Sequence, residues 1–245
     1  METTAEPVNP KLSGLDLVRL SQGFSCIFWG LPVGLLFCVQ LLILDVMIAD
    51  PRIRSSVSHL YFALFCVSLA TICFGTFRLG AVKVLGARWT RRARLSTVLA
   101  FFSLYFSPFL YWWQAVPYDA FLTVNLFGLI LSIVLFLISL NFLSMELGRY
   151  LGDNSLRRES KLFLGLNALV LAVPSSSAFA WVTYRGLQGE SSLNIGMQFL
   201  NLFRLHYPWR LSLFVVLFLP VSLTLANIWR VKEILLDEIK KLPGG

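Results

Sequence analysis

The chain has 245 residues, 57% of them apolar and 14% charged, with mean hydropathy +0.72 and a formal charge of +8. A soluble fold of this size cannot hide so much apolar surface, so the composition excludes an ordinary globular domain. The basic balance points to anionic headgroups and not to nucleic acid, because Arg and Lys gather at the ends of apolar runs.

Residues 1–23 are expected to form a cytoplasmic N-terminal segment. It contains Glu6 and Asp16 and lacks a small-residue cleavage site after an apolar core. The first span therefore reads as a retained anchor and not a signal peptide. Within 11–22, Leu12, Leu15, Val18 and Leu20 fall on one side, the pattern of a short interfacial helix.

Six apolar stretches follow, at 24–47, 59–80, 95–113, 119–145, 161–184 and 210–229. Each is long enough to cross a hydrocarbon core of roughly 30 Å, and together they make a transmembrane domain over 24–229. In the tail at 230–245, Val231, Ile234, Leu235, Ile239 and Leu242 alternate with Lys232, Glu233, Asp237 and Lys240 at helical spacing. That segment reads as an amphipathic cytoplasmic helix ended by Pro243-Gly244-Gly245. The expected fold class is all-α: a polytopic membrane protein with six transmembrane helices.

Charge sets the expected orientation. With the N-terminus in the cytoplasm, the inside segments hold sixteen Arg and Lys, among them Arg78, Lys83, Arg88, Arg91, Arg92 and Arg94. The outside segments hold five: Arg52, Arg54, Arg185, Arg204 and Arg210. That asymmetry predicts both termini in the cytoplasm of a cell-membrane protein, the inner membrane for a bacterial one. Tyr111, Trp112, Trp113, Tyr118, Trp181, Tyr184, Tyr207 and Trp209 band at the predicted outer interface, where amphipathic rings favour the headgroup level.

Spans one, three and five each open on a basic residue followed by Leu: Arg19-Leu20, Arg94-Leu95 and Lys161-Leu162. Each then carries Pro32, Pro108 or Pro174 at 13 or 14 residues from that basic residue. The spacing fits three tandem helical hairpins in parallel orientation. Basic flanks and intramembrane prolines are common enough to give the same pattern without a repeat. Pro174, followed by Ser175, Ser176 and Ser177, is the candidate helix break, with hydroxyls suited to re-satisfying a freed carbonyl or lining a cavity. Gly30 and Gly34 fit a small-xxx-small pattern for close helix approach.

Polar residues inside the spans group by depth. Asn141, Asn167 and Asn227 lie near the inner ends of spans four, five and six, and Glu146 and Arg149 extend span four on that side. They define a candidate polar pocket facing the cytoplasm. The plainer reading makes each Asn a hydrogen-bonded contact between helices. A thinner outer set comprises Asp45, Asp50, His59, Asp119, Glu190 and His206. It lacks any HxxxH or CxxC spacing, so no haem, metal or other cofactor is expected. Cys26, Cys38, Cys66 and Cys73 all lie within spans one and two, where a thiol behaves as a small apolar residue.

The chain contains no GxSxG, Walker loop or HExxH, and no pair of carboxylates inside the spans. The expectation is a non-catalytic accessory or scaffold subunit that packs against partner membrane helices, either other subunits or a second copy. The alternative is a small-solute transporter or permease subunit with a Pro-kinked core. A lipid-acting enzyme using Glu146 and Arg149 comes third. A polar cavity reaching mid-membrane would favour transport, and a dry Phe/Leu core would favour the subunit.

Overall fold

A computed structural model describes residues 12–47, 50–116, 119–189 and 207–241. The described chain is all-α, with α1 (Gly14–Met47), α2 (Pro51–Gly80), α3 (Ala87–Ala115), α4 (Ala120–Leu151), α5 (Asn154–Leu187) and α6 (Tyr207–Lys240). Each helix packs on the next, and α6 returns to α1 to close a ring while also touching α4.

Four stretches are long and apolar enough to cross a membrane: Gly14–Leu41, Arg52–Gly80, Ala87–Trp113 and Val124–Leu151. The distribution of side chains agrees with an integral membrane protein. Large apolar residues face outward, with Trp29, Phe77, Phe121 and Val124 each more than 60% exposed. Inward faces instead bury Ser96, Ser103, Ser132, Ser139, Asn141, Asn167, Thr224 and Asn227. So many large apolar side chains on the described surface suit a membrane interior better than water.

α1, α5 and α6 each have 34 residues, about 51 Å of helix at 1.5 Å per residue. They therefore overrun a hydrocarbon layer of roughly 30 Å. The segment expected to form a short interfacial helix leading into the first span is continuous with it in α1, which runs unbroken from Gly14 and buries Leu17 and Leu20. At the same end α6 continues to Lys240 and buries Val231 and Leu235. The inner faces of these extensions belong to the bundle core. α5 stays helical through residues 174–177, whose side chains, like that of Asp45, lie outside the described residues. Residues 190–206, with Glu190 and His206, and the Pro243-Gly244-Gly245 terminus also lie outside them.

Small residues set how closely the hairpins pack. A Cβ on Gly75 would lie 2.7 Å from the Gly23 carbonyl oxygen, and one on Gly30 would lie 2.6 Å from Ile72 Cγ1. The α1 and α2 backbones therefore approach within a distance that larger residues forbid. α3 and α4 use serines instead. Ser96 meets Ser139 at 2.6 Å and Ser103 meets Ser132 at 3.0 Å, seven residues apart on both antiparallel helices.

The helix ends explain several charged residues of the outer set. Asp50 accepts the Arg52 N–H and Asp119 accepts the Leu122 N–H, so both carboxylates cap helices. Gly86 enters α3 at φ +91 and Gly152 ends α4 at φ +71, backbone conformations suited to Gly. Between α2 and α3, the fully buried Trp89 donates its indole N–H to the Leu79 carbonyl at 3.0 Å, anchoring the turn.

Candidate functional site

Three helices bring their polar residues to one layer. Asn141 comes from α4, Ser160 and Asn167 from α5, and Thr224 and Asn227 from α6; all five are fully buried. Ser160 and Asn167 are two turns apart on one face of α5, and Thr224 and Asn227 are neighbours on α6.

Their hydrogen bonds form a directed chain. Ser160 donates to Asn227 Oδ1 at 2.9 Å, and Asn227 Nδ2 donates to Asn141 Oδ1 at 2.8 Å. Asn141 Nδ2 donates to Thr224 Oγ1 at 3.1 Å and to the Leu137 carbonyl at 2.9 Å. Asn167 Nδ2 also reaches Thr224 Oγ1, at 3.0 Å. The chain fixes the amide orientations, because reversing Asn141 would set its nitrogen against the Asn227 nitrogen. Asn167 Oδ1 alone has no partner in this layer. Turning that amide over would let its oxygen accept the Thr224 hydroxyl, but would strand its nitrogen instead.

The layer's five described members are amides and hydroxyls, neutral at pH 7. Each bond between helices in a membrane contributes about 0.6–2 kcal/mol. Four such bonds tie α4, α5 and α6 together, several kcal/mol of cohesion in a region where dispersion otherwise does the work.

Glu146 and Arg149 do not join this layer. Glu146 turns toward α3, where its Oε2 accepts from Arg92 at 2.9 Å, and Arg149 approaches its other oxygen at 3.6 Å. Arg92 also donates to the Phe142 carbonyl at 3.2 Å and lies over the Phe142 ring. The carboxylate is held by two guanidinium groups and is nearly buried, an arrangement that clamps α3 to α4. The sequence pattern grouped Glu146 with the asparagines by depth, and the helical angle between 141 and 146 separates them.

At the opposite end, His59 and Tyr111 meet through a 3.0 Å contact of Nε2 with the phenol oxygen, while the other ring nitrogen reaches the Ser55 carbonyl. With Nδ1–H donating to Ser55, Nε2 accepts the Tyr111 proton. His59 thus links α2 to α3. Among the described residues no three His, Cys, Asp or Glu side chains gather to hold a metal. Cys26, Cys38, Cys66 and Cys73 are all unpaired thiols.

Among the described residues an apolar cavity of about 70 Å3 is lined by Leu31, Cys38, Phe65, Phe136, Pro220 and Val221 among others. Leu137 on its wall is one turn from Asn141, and Pro220 is one turn from Thr224. The cavity therefore sits next to the polar layer, with the described core of Leu and Phe closing around both. Thr224 and Ser160 in the layer, and Arg92 beside Glu146, are residues that the sequence pattern did not single out. Arg92 alone gave a signal, since it shares a helical face with Ser96, Leu99 and Ser103. No protein-family model, curated protein or solved structure matches the chain.

Proposed function

We propose that this chain is a non-catalytic accessory or scaffold subunit with six spans and both termini in the cytoplasm, working by packing its apolar exterior against partner membrane helices. The observation that carries this reading is that, among the described residues, the polar side chains of this layer bond chiefly to one another, with Asn167 Oδ1 and, on α1, Gln40 Oε1 the buried oxygens left without a partner. Asn141, Ser160, Asn167, Thr224 and Asn227 bond to one another at full burial, and Glu146 is spent on Arg92 and Arg149. A transport path or a lipid-cleaving site would need such groups to face a solute. The basic loops support the assigned orientation, and α5 and α6 supply the remaining two spans by length.

A small-solute transporter is the second reading, favoured by the cavity beside Pro220 and the unpartnered Asn167 oxygen. At about 70 Å3 the cavity is far below the 300–1,000 Å3 typical of ligand pockets. Purification in mild detergent followed by quantitative mass spectrometry tests the first reading. A membrane protein recovered at fixed stoichiometry with the chain is the expected result. Recovery of the chain alone, together with solute uptake in proteoliposomes, would replace it with the second.

A further inference from the structure

The tandem arginines at 91 and 92 are divided by the fold. Arg92 turns inward to Glu146 and the Phe142 carbonyl. Arg91 faces outward, as do Arg88 and Arg94, and none of these three has an ion pair among the described residues. At 100° per residue Arg88, Arg91 and Arg94 lie on the same side of α3 as Leu95, Val98, Phe102 and Tyr105. Those four residues are 45–64% exposed. One helix face thus carries three guanidinium groups without an ion pair among the described residues, above an apolar stripe.

The surrounding sequence offers these arginines no counter-charge. No Asp or Glu occurs from residue 51 to residue 118, a run that contains eight Arg and Lys. Glu146 of α4 pairs with Arg92 of that run and with Arg149 and is then fully engaged. A soluble anion would match the arginines but leave the stripe without a complement. An anionic phospholipid matches both, with its phosphate on the guanidinium groups and an acyl chain along the stripe.

We propose that the Arg88–Arg91–Arg94 face of α3 is a binding site for an anionic phospholipid. This rests on the membrane-spanning reading above and adds to it a defined surface and ligand class. Arg91 sits at the centre of the face and holds the phosphate. Arg88 and Arg94 flank it, while Leu95, Val98, Phe102 and Tyr105 receive the chain.

The test uses the full chain in non-ionic detergent, titrated with phosphatidylglycerol or phosphatidylcholine and read by native mass spectrometry. At about fivefold per arginine, Arg88→Gln/Arg91→Gln/Arg94→Gln should weaken phosphatidylglycerol binding by roughly a hundredfold. The comparison variant Arg157→Gln/Arg158→Gln/Lys161→Gln on α5 should change it by less than about twofold, and phosphatidylcholine binding should not respond to either. Equal losses in both variants would mean diffuse attraction and overturn the site, as would no loss in the first. Displacement of the lipid by an acidic peptide at equal concentration would also overturn it, in favour of a protein partner. If the triple variant fails to fold, Arg91→Gln alone carries the test, with a weakening of about fivefold expected and an unchanged affinity contradicting the site. Binding in detergent does not depend on sidedness. Accessibility of tags at the two termini tests the topology separately, so one reading can fail without the other.

Discussion

Asn227 on α6 donates its amide to the side-chain oxygen of Asn141 on α4 over 2.8 Å, and both residues are fully buried. Removing either leaves the other's amide buried without this partner. Asn227→Leu should lower stability by about 1–3 kcal/mol, since it also orphans the Ser160 hydroxyl. The double variant Asn141→Leu/Asn227→Leu should lose less than the sum of the singles, with a coupling of about 0.5–2 kcal/mol. Thermal unfolding in detergent of the four proteins measures it, and strict additivity would mean the pair is not coupled.

The tandem arginines should respond in opposite ways. Arg92→Gln removes the clamp on Glu146 and the Phe142 carbonyl, and should cost about 1–3 kcal/mol. Arg91→Gln removes an outward-facing charge and should change stability by less than about 0.5 kcal/mol. Comparing their melting temperatures checks the division. Equal effects would contradict the inward placement of Arg92.

Close packing of α1 on α2 predicts a contrast between two glycines. Gly75→Ala places a methyl 2.7 Å from a backbone oxygen, which forces the helices apart at a cost of about 1–3 kcal/mol. Gly165→Ala meets nothing within 4 Å and should be neutral or stabilising by up to about 1 kcal/mol. Melting curves of both variants decide the matter, and an unaffected Gly75→Ala would place the helices further apart than described.

Trp89 offers a test of the turn between α2 and α3. Trp89→Phe keeps most of the buried ring but loses the bond to the Leu79 carbonyl, at a cost of about 1–2 kcal/mol. Hydrogen exchange at residues 79–86 should rise more than at the serine ladder of α3 and α4. A uniform rise would mean that Trp89 stabilises the bundle globally and does not fix that turn.

The sequence made some of this legible because hydrophobic length and depth are one-dimensional properties. Apolar runs mark the helices, and the placement of Asn141, Asn167 and Asn227 near the same ends of their runs already puts them in one layer. Asp50 before Pro51, and Asp119 before α4, have the form of capping residues, although they were grouped with the outer charges. Rotation about each helix axis was harder to read. Glu146 shares the depth of the asparagines but faces α3, because five residues turn a helix by about 140°. Ser160 and Thr224 gave no warning, since hydroxyls occur throughout these spans and only a partner distinguishes a linking one. The close approach of Gly23 to Gly75 joins residues from two helices, so no pattern within either one reveals it.

On the proposed reading the interior is closed to water, with polar groups serving cohesion and not passage. Val221 lines the cavity, is 5% exposed and lies three residues from Thr224. The direct measurement is labelling of Val221→Cys by a small membrane-impermeant thiol reagent, with Cys26, Cys38, Cys66 and Cys73 replaced by Ala. Ser155→Cys, at an exposed position at the start of α5, serves as the positive control. Val221→Cys should stay unlabelled in right-side-out and inverted vesicles while Ser155→Cys reacts in one of them. Labelling of Val221→Cys at a rate comparable to Ser155→Cys would show an aqueous path beside the asparagine layer and contradict a closed interior.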